Sequence, residues 1–304
     1  MSIAVERLSD LDGWVACERL GLDALGERAF RSLCAVPILR AIHDSGGLIL
    51  GAWDDASPER VLIGAVGDLA GTYKGFASFF SLFAVMSRRQ RTAGTASLLR
   101  RAERTAAVAA GVEVVRWWMD PLRGEEAHVG LNLLGAVGVS YERNVFGGLA
   151  DRENAGLATD RVGVEWWLRS PRTAAILDEH RPVAHYRLEL HQMAVITRTS
   201  LGPSGHRTLL DVDLAATGPH LLVEVPDQLD AVRAASPDEA RRWRLATRDA
   251  FERLFAQGYL LVGSVREAGR SFQLFEAADL GAVLGRGDVG DPRSGAGGPK
   301  KEEP

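Results

Sequence analysis

An α/β chain with a mixed rather than doubly wound sheet is predicted from three observations. Runs of β-branched, aromatic and aliphatic residues alternate with helix-forming segments. Three early runs follow one another as a meander with no helix between them, and Ser, Asp, Pro and Gly punctuate the helix ends. Hydrophobic residues make up 46% of the 304 positions and charged residues 25%, a globular rather than a disordered profile. A chain of this length buries about three quarters of its extended surface, so its core needs no disulfide or metal.

Residues 2–7 alternate like a short strand, and Ser9 or Asp10 can cap a helix carrying Leu11, Trp14 and Val15. A second helix runs to about Ser45 and closes at Gly46 and Gly47. Leu48–Trp53 and Val61–Val66 read as a hairpin across the polar stretch 54–59, and Phe79–Met86 as the next strand. Ala93–Ala110 is rich in Ala, Leu, Arg and Glu and stops at Gly111, which makes it a helix. Val112–Met119 is a strand, Glu125–Leu134 a short helix ending at Gly135, and Val162–Leu168 the last clear strand of this half.

A boundary is expected near Ser170-Pro171-Arg172, dividing a core at 1–170 from a C-terminal α+β subdomain at 171–285. Strands are expected there at Ala184–Leu190, Leu209–Val212 and His220–Glu224. Ser236 and Pro237 open a long amphipathic helix to about Phe255, and a hairpin follows at Leu260–Val265 and Ser271–Phe275. Residues 286–304, rich in Gly, Pro and charge, read as a disordered tail.

Composition narrows the function. With 36 basic and 40 acidic residues the net charge is −4, against a dedicated nucleic-acid binder. No apolar run reaches membrane-spanning length and no basic-then-apolar leader opens the chain, so a cytoplasmic protein without membrane or nucleic-acid partners is expected. Cys17 and Cys34 read as inert core thiols, and Cys34 has no activating neighbour in sequence. His185 and His191 lack a third ligand, so no metal site is expected.

The informative stretch is Val85-Met86-Ser87-Arg88-Arg89-Gln90-Arg91-Thr92-Ala93-Gly94-Thr95-Ala96. Small residues at a helix mouth leave backbone amides unobstructed, and those amides with the helix dipole form an anion site. Arg88, Arg89, Arg91, Arg100, Arg101 and Arg104 are expected to add a positive field, which suits the diphosphate of a nucleotide-like cofactor. The spacing is neither a Walker loop nor a dinucleotide loop.

Arg91-x-x-Gly94-x-Ala96 and the order of elements resemble the GNAT superfamily of acyl-CoA-dependent N-acyltransferases, whose pyrophosphate loop has this form. Downstream, Asp120-Pro121-Leu122, Leu134-Gly135-Ala136, Tyr141-x-x-Asn144-x-Phe146-Gly147, Asp160-Arg161 and Val164-Glu165-Trp166 resemble a little-characterised branch of it. Val223-Glu224-Val225-Pro226 and Trp243-Arg244-x-x-Thr247-Arg248 extend the likeness into the second half. Some relatives of that branch are linked to N-succinylation of amino acids.

The resemblance implies a GNAT-like mixed central sheet flanked by helices. It implies transfer of an acetyl or succinyl group from acetyl-CoA or succinyl-CoA to the amine of a small substrate, an amino acid among the candidates, in a ternary complex. A homodimer is among the assemblies it suggests. The pantetheine would pair with Phe79–Met86, with Phe83 and Val85 on that strand, Arg91, Gly94, Thr95 and Ala96 at the helix mouth, and Asn132 as contacts. Leu131 stands where many relatives carry a tyrosine acid, and Glu126 where the branch often has Asn. These departures leave a second reading open, a GNAT-fold binding or interaction protein with weak or no catalysis. Candidate catalytic groups are Asp120 as base or amine contact, Tyr141 as acid or donor, Glu165 lining the cleft with Gly163 and Trp167, and His128 as base. Each also has a structural alternative: a turn cap for Asp120, an aromatic wedge for Tyr141, an arginine partner for Glu165, and a surface residue for His128.

Overall fold

Strand β1 (Ile3–Arg7) leads into helices α1 (Leu11–Leu25) and α2 (Val36–Asp44), then the meander β2 (Leu48–Asp54), β3 (Val61–Tyr73) and β4 (Phe76–Met86). Helix α3 (Ala93–Ala109), β5 (Val114–Met119) and α4 follow. Helix α4 is α-helical over Gly124–Ala127 and π-helical over His128–Leu133. The chain continues through β6 (Val137–Glu142), β7 (Arg161–Trp167), α5 (Pro171–Leu177), β8 (Ala194–Val195), β9 (Thr197–Leu201), β10 (Arg207–Val212) and β11 (His220–Val225). It ends with α6 (Leu229–Ala235), α7 (Pro237–Ala256), β12 (Leu260–Glu267), β13 (Arg270–Glu276) and α8 (Leu280–Val283). This computed structural model describes residues 3–26, 34–56, 60–87, 93–149, 154–181, 193–202 and 205–285. The strand expected at Ala184–Leu190 and the tail expected at 286–304 lie outside them.

A mixed sheet flanked by helices is what the chain forms. Eleven strands join in the order β1-β2-β3-β4-β5-β7-β6-β12-β13-β11-β8, and β9 pairs with β10 in a separate ribbon. Within the large sheet the β4–β5 and β11–β8 pairs are parallel and the rest antiparallel. Asp10 caps α1 by accepting from Gly13 N, and Ser236 caps α7 by accepting from Glu239 N. Helices α1 and α2 bury Trp14, Cys17, Leu39 and Ile42 against Ile49, Phe83 and Val85 on one face. Helix α3 buries Leu99 and Ala107 on the opposite face, against Leu50, Ile63 and Val66. Both cysteines are free and buried, and burial pushes the Cys17 thiol up to about 12, so it is not a nucleophile at neutral pH.

Three local readings change. The last two strands of the meander extend into one long hairpin through Lys74 and Gly75, whose φ values of +51° and +83° make the tight turn. Residues 67–78 lack a clean alternation because Gly67 and Gly71 interrupt it and Leu82 is an extra residue on β4. Strand β6, with Gly138 as its second residue, carried no strong strand signal. The helix expected over Glu125–Leu134 widens to π geometry from His128.

The boundary expected near Ser170 falls at the N-cap of α5, where Ser170 accepts from Thr173 N. Sheet and core both cross it. The β6–β12 junction is a single register pair, Gly138 with Leu261, and one apolar cluster holds Phe79 and Val115 together with Trp243, Phe251 and Phe275. The C-terminal half therefore extends the same sheet. A Cβ at Gly138 would lie 2.8 Å from Val162 Cγ1 and 2.9 Å from Leu261 Cβ, so only glycine lets the strands close there. Gly138→Val is expected to cost about 2 kcal/mol by overpacking, lowering the thermal midpoint by roughly 5 °C. An unchanged midpoint in a calorimetric scan would show that the junction carries no such constraint.

Candidate active site

The parallel strands β4 and β5 pair only at Ser78–Val114, Phe79–Val115 and Phe80–Arg116. Beyond Phe80, β4 continues to Met86 paired with β3 alone, while Trp117–Met119 of β5 pair with β7 alone. The strands part, and alternate N–H and C=O groups along Ser81–Met86 have no ladder partner on that side. The bulge at Leu82 turns β4 where the parting begins. Gly67 permits it, because a Cβ there would lie 2.3 Å from the Phe83 ring. The side chains of Phe83 and Val85 pack under α1 and α2, so only their backbone can face the gap.

Helix α3 starts beyond the end of the free β4 edge. Its first turn holds Gly94 exposed, Ala96 half-buried and Thr95 buried at 3%. Those positions leave backbone N–H groups without an intrahelical acceptor. Arg88, Arg89 and Arg91 lie outside the described residues. Of the other three arginines of the expected positive field, Arg101 and Arg104 face elsewhere, which corrects that expectation for these two. Arg101 donates to Leu177 O at 2.9 Å, and Arg104 donates to Leu168 O at 2.8 Å and to Asp178 at 2.7 Å. Both thus fasten α3 to the end of α5.

Arg100 sits at the root of the gap. Its Nη1 donates to Ser81 Oγ on β4 at 3.0 Å, and its Cζ lies 5.2 Å from the Trp117 ring centroid on β5. Trp117 in turn rests on the π turn, where a Cβ at Gly130 would lie 3.0 Å from its ring. Arg100 also donates to both oxygens of Glu103, at 2.9 and 2.7 Å. Asp68, opposite Ser81 on β3, is fully buried, and neither of its oxygens receives a hydrogen bond. Burial and the Glu103 charge push Asp68 well above the usual carboxylate range. A neutral Asp68 donating its own proton to Glu103 explains both facts, with Arg100 balancing the single remaining charge.

Asp120 and Tyr141 meet in a second cluster, between the end of β5 and α7. Asp120 is 4% exposed, accepts from Arg244 Nη2 at 2.6 Å and from Leu122 N at 2.9 Å, and lies 3.6 Å from Arg161. Burial alone would raise its carboxyl, but Arg244, Arg161 and Arg123 outweigh it and hold it down to about 2. A carboxylate this stabilised is a poor base, and the geometry gives Asp120 the turn and ion-pair role. Tyr141 donates to Asp160 Oδ2 at 2.7 Å and stacks on Phe251. Burial and Asp160 push its hydroxyl above the ordinary tyrosine range, so it stays a donor. Arg248 grips the same Asp160 at 2.8 and 3.0 Å. Arg244 and Arg248, from the second half, carry these contacts; sequence inspection treated them as motif residues without a role.

The other expected site residues lie apart from that cluster. Glu165 shares a face with Trp167, as the strand period requires, but its partners are not the expected Arg161. It accepts from Tyr73 Oη at 2.7 Å, Lys74 Nζ at 2.8 Å and Trp167 Nε1 at 2.8 Å. Asn132 departs from its expected cofactor role: its amide donates to Ser264 O and accepts from Ser264 N at 3.0 Å, tying the π turn to β12. Its Nδ2 also lies 3.1 Å from His128 Nδ1, and burial lowers His128 below the ordinary histidine range. Leu131 is fully buried in the core. Among the described residues no group of three His, Cys, Asp or Glu side chains converges on a metal position, and no helix is long and apolar enough to cross a membrane.

No family model matches the sequence, and no curated protein matches it. Among solved structures, the chain is similar to an IAA acetyltransferase from Bacillus cereus at 16% identity, over 55% of this chain and 99% of that one, with a TM-score of 0.38. It is also similar to the NatC complex bound to Gag peptide and CoA (11% identity, 55% and 99% covered, TM-score 0.43). The ribosomal-protein-S18-alanine N-acetyltransferase from Escherichia coli gives 9% identity, 55% and 94% covered, and a TM-score of 0.41. Likeness at this level of identity and superposition carries no function to this chain.

The neutral Asp68 makes a signed prediction. Its folded value lies above its unfolded one, so as pH rises past about 4 the unfolded chain sheds a proton that the folded chain keeps, and stability falls. Asp68→Asn removes that loss while keeping a donor toward Glu103. Its thermal midpoint should equal or exceed that of the wild type at pH 8, with the margin shrinking toward pH 5. A variant markedly less stable at pH 8 would mean that Asp68 is ionised and needed as an anion.

Proposed function

We propose that the chain is an acyl-CoA-dependent N-acyltransferase acting on a small amine. The observation that carries this reading is the free β4 edge, Ser81–Met86, followed along the chain by the first turn of α3 at Gly94–Ala96. An extended amide-bearing arm can pair with a strand edge, and a diphosphate at its far end can accept from helix N-terminal amides. Thioester, amide arm and diphosphate in that order describe acyl-CoA. The residues fit it through backbone groups; Asn132, whose amide is engaged with Ser264, is not part of the fit.

Acyl-CoA would supply an activated acyl carbon at the root of the gap. The amine nitrogen, neutral when it attacks, forms a C–N bond to that carbon as the C–S bond breaks. The thiolate leaves as free thiol after taking up a proton, and the amine loses one. A β4 backbone N–H is suited to stabilise the oxygen that becomes negative in between. Alignment of the two reactants at about 3–3.5 Å supplies much of the acceleration. Asp120, Tyr141 and Glu165, each held by strong partners, support the scaffold around this chemistry. Acetyl and succinyl groups are both compatible with the reading, and an amino acid is the proposed acceptor.

Calorimetric titration with acetyl-CoA and succinyl-CoA should give dissociation constants from about micromolar to low millimolar. Thiol release should accompany acylation when amino acids of either hand are added. Gly94→Glu, which puts a carboxylate where phosphate would sit, should abolish binding without lowering the thermal midpoint. Absent heat for every acyl-CoA tested, or full binding by Gly94→Glu, contradicts the reading.

A further inference from the structure

The face of the sheet that bears Glu165 holds an arginine without an acid. Arg116, on β5, pairs in register with Phe80 on β4 and with Glu165 on β7, so it stands where β4 and β5 last touch. Its guanidinium carbon lies 3.6 Å from the Tyr73 ring centroid and 5.8 Å from that of Phe80. Among the described residues no carboxylate lies within ion-pair distance of it, and its buried Nε–H has no acceptor. Glu165, the acid opposite, is already occupied by Tyr73, Lys74 and Trp167.

Four other inward-facing arginines are differently placed. Arg100 has Glu103, Arg244 has Asp120, Arg248 has Asp160, and Arg270 has Glu224, each at 2.6–2.8 Å. A half-buried guanidinium without an acceptor is costly unless something outside the fold supplies one. Ring contact with Tyr73 occupies the plane of the group and leaves its in-plane N–H fork free. That fork matches a carboxylate, whose two oxygens accept two parallel hydrogen bonds. Half-buried Trp118, next on the same face, lies with its ring over Gly163 of β7.

We infer that Arg116 anchors a carboxylate of the acceptor, so that the substrate class is a small molecule carrying both an amine and a carboxylate. The inference rests on the N-acyltransferase reading for its amine. The free edge of β4 begins at Ser81, one residue past the Phe80–Arg116 pair, a step of about 3.3 Å along the strand. A carboxylate on Arg116 therefore directs a nearby amine toward the root of the gap, where the thioester would lie.

Two measurements on the full chain separate this inference from the reading beneath it. In thermal-shift assays without any CoA, glycine, alanine and succinate should raise the midpoint of the wild type, whereas glycinamide and alaninamide should not. Arg116→Gln should lose the response, and Arg116→Lys, which keeps the charge but not the fork, should retain only part of it. With acetyl-CoA present, wild-type kcat/KM should favour amino acids over their amides by about 10- to 100-fold, and Arg116→Gln should erase that preference mainly through KM. Its affinity for CoA should stay within about twofold, below the tenfold that 1.4 kcal/mol represents. No carboxylate-dependent shift in the wild type overturns the inference whether or not CoA binds. Equal losses for acids and amides in Arg116→Gln also overturn it, by assigning Arg116 to the scaffold. Failure to bind CoA with the carboxylate shift intact would instead remove the acyltransferase reading and leave an anion site at Arg116.

Discussion

The short parallel contact between β4 and β5 is the constraint on which the candidate site depends. Three register pairs hold the strands together, and the Leu82 bulge then turns β4 away while β5 follows β7. Parting two strands inside a sheet exposes backbone groups that water or a ligand must satisfy. The fold accepts this because neighbours on both sides are fixed. Phe83 and Val85 are packed under α1, and Arg100 bridges Ser81 to Trp117 across the root. Behind that arginine lies a buried carboxyl pair, Asp68 and Glu103, both pushed up by burial and drawn back in part by the Arg100 charge.

The second half of the chain stabilises the first rather than standing beside it. Arg244 and Arg248 of α7 reach Asp120 and Asp160 at the ends of β5 and β7, while Asn132 secures the π turn to β12. The two arginine–aspartate contacts are charge-assisted bonds, that of Arg244 with Asp120 buried, and they specify how α7 seats on the sheet. They also engage two of the motif residues, Asp120 and Tyr141. Asp120 and Tyr141 have their acid–base capacity suppressed by the same partners that make them good anchors.

Much of the fold was legible in the residues. The caps at Asp10 and Ser236, the glycine stops at Gly111 and Gly258, and the amphipathic α7 all act locally, so local sequence reports them. The long β3–β4 hairpin was only partly visible, because Gly67, Gly71 and the extra Leu82 disturb the two-residue period by which strands are read. The continuity of the sheet through Gly138 and Leu261 joins residues more than a hundred positions apart, which no local pattern encodes. Gly94–Ala96 were readable as a helix start because helix mouths have a local signature. Arg116 had no such signature, since what distinguishes it is the lack of an acid nearby in space. The partners of Glu165 were hidden for the same reason: Tyr73 and Lys74 come from a hairpin tip on the other side of β5.

If the free strand edge is what receives the thioester arm, amide hydrogen exchange along it must respond to CoA. Exchange measured with and without saturating CoA should slow at alternate residues of Ser81–Met86 and in the first turn of α3, while the paired Ser78–Phe80 segment stays as it was. CoA that binds yet leaves both the Ser81–Met86 edge and that helix turn exchanging at their free rates would contradict the account at its centre.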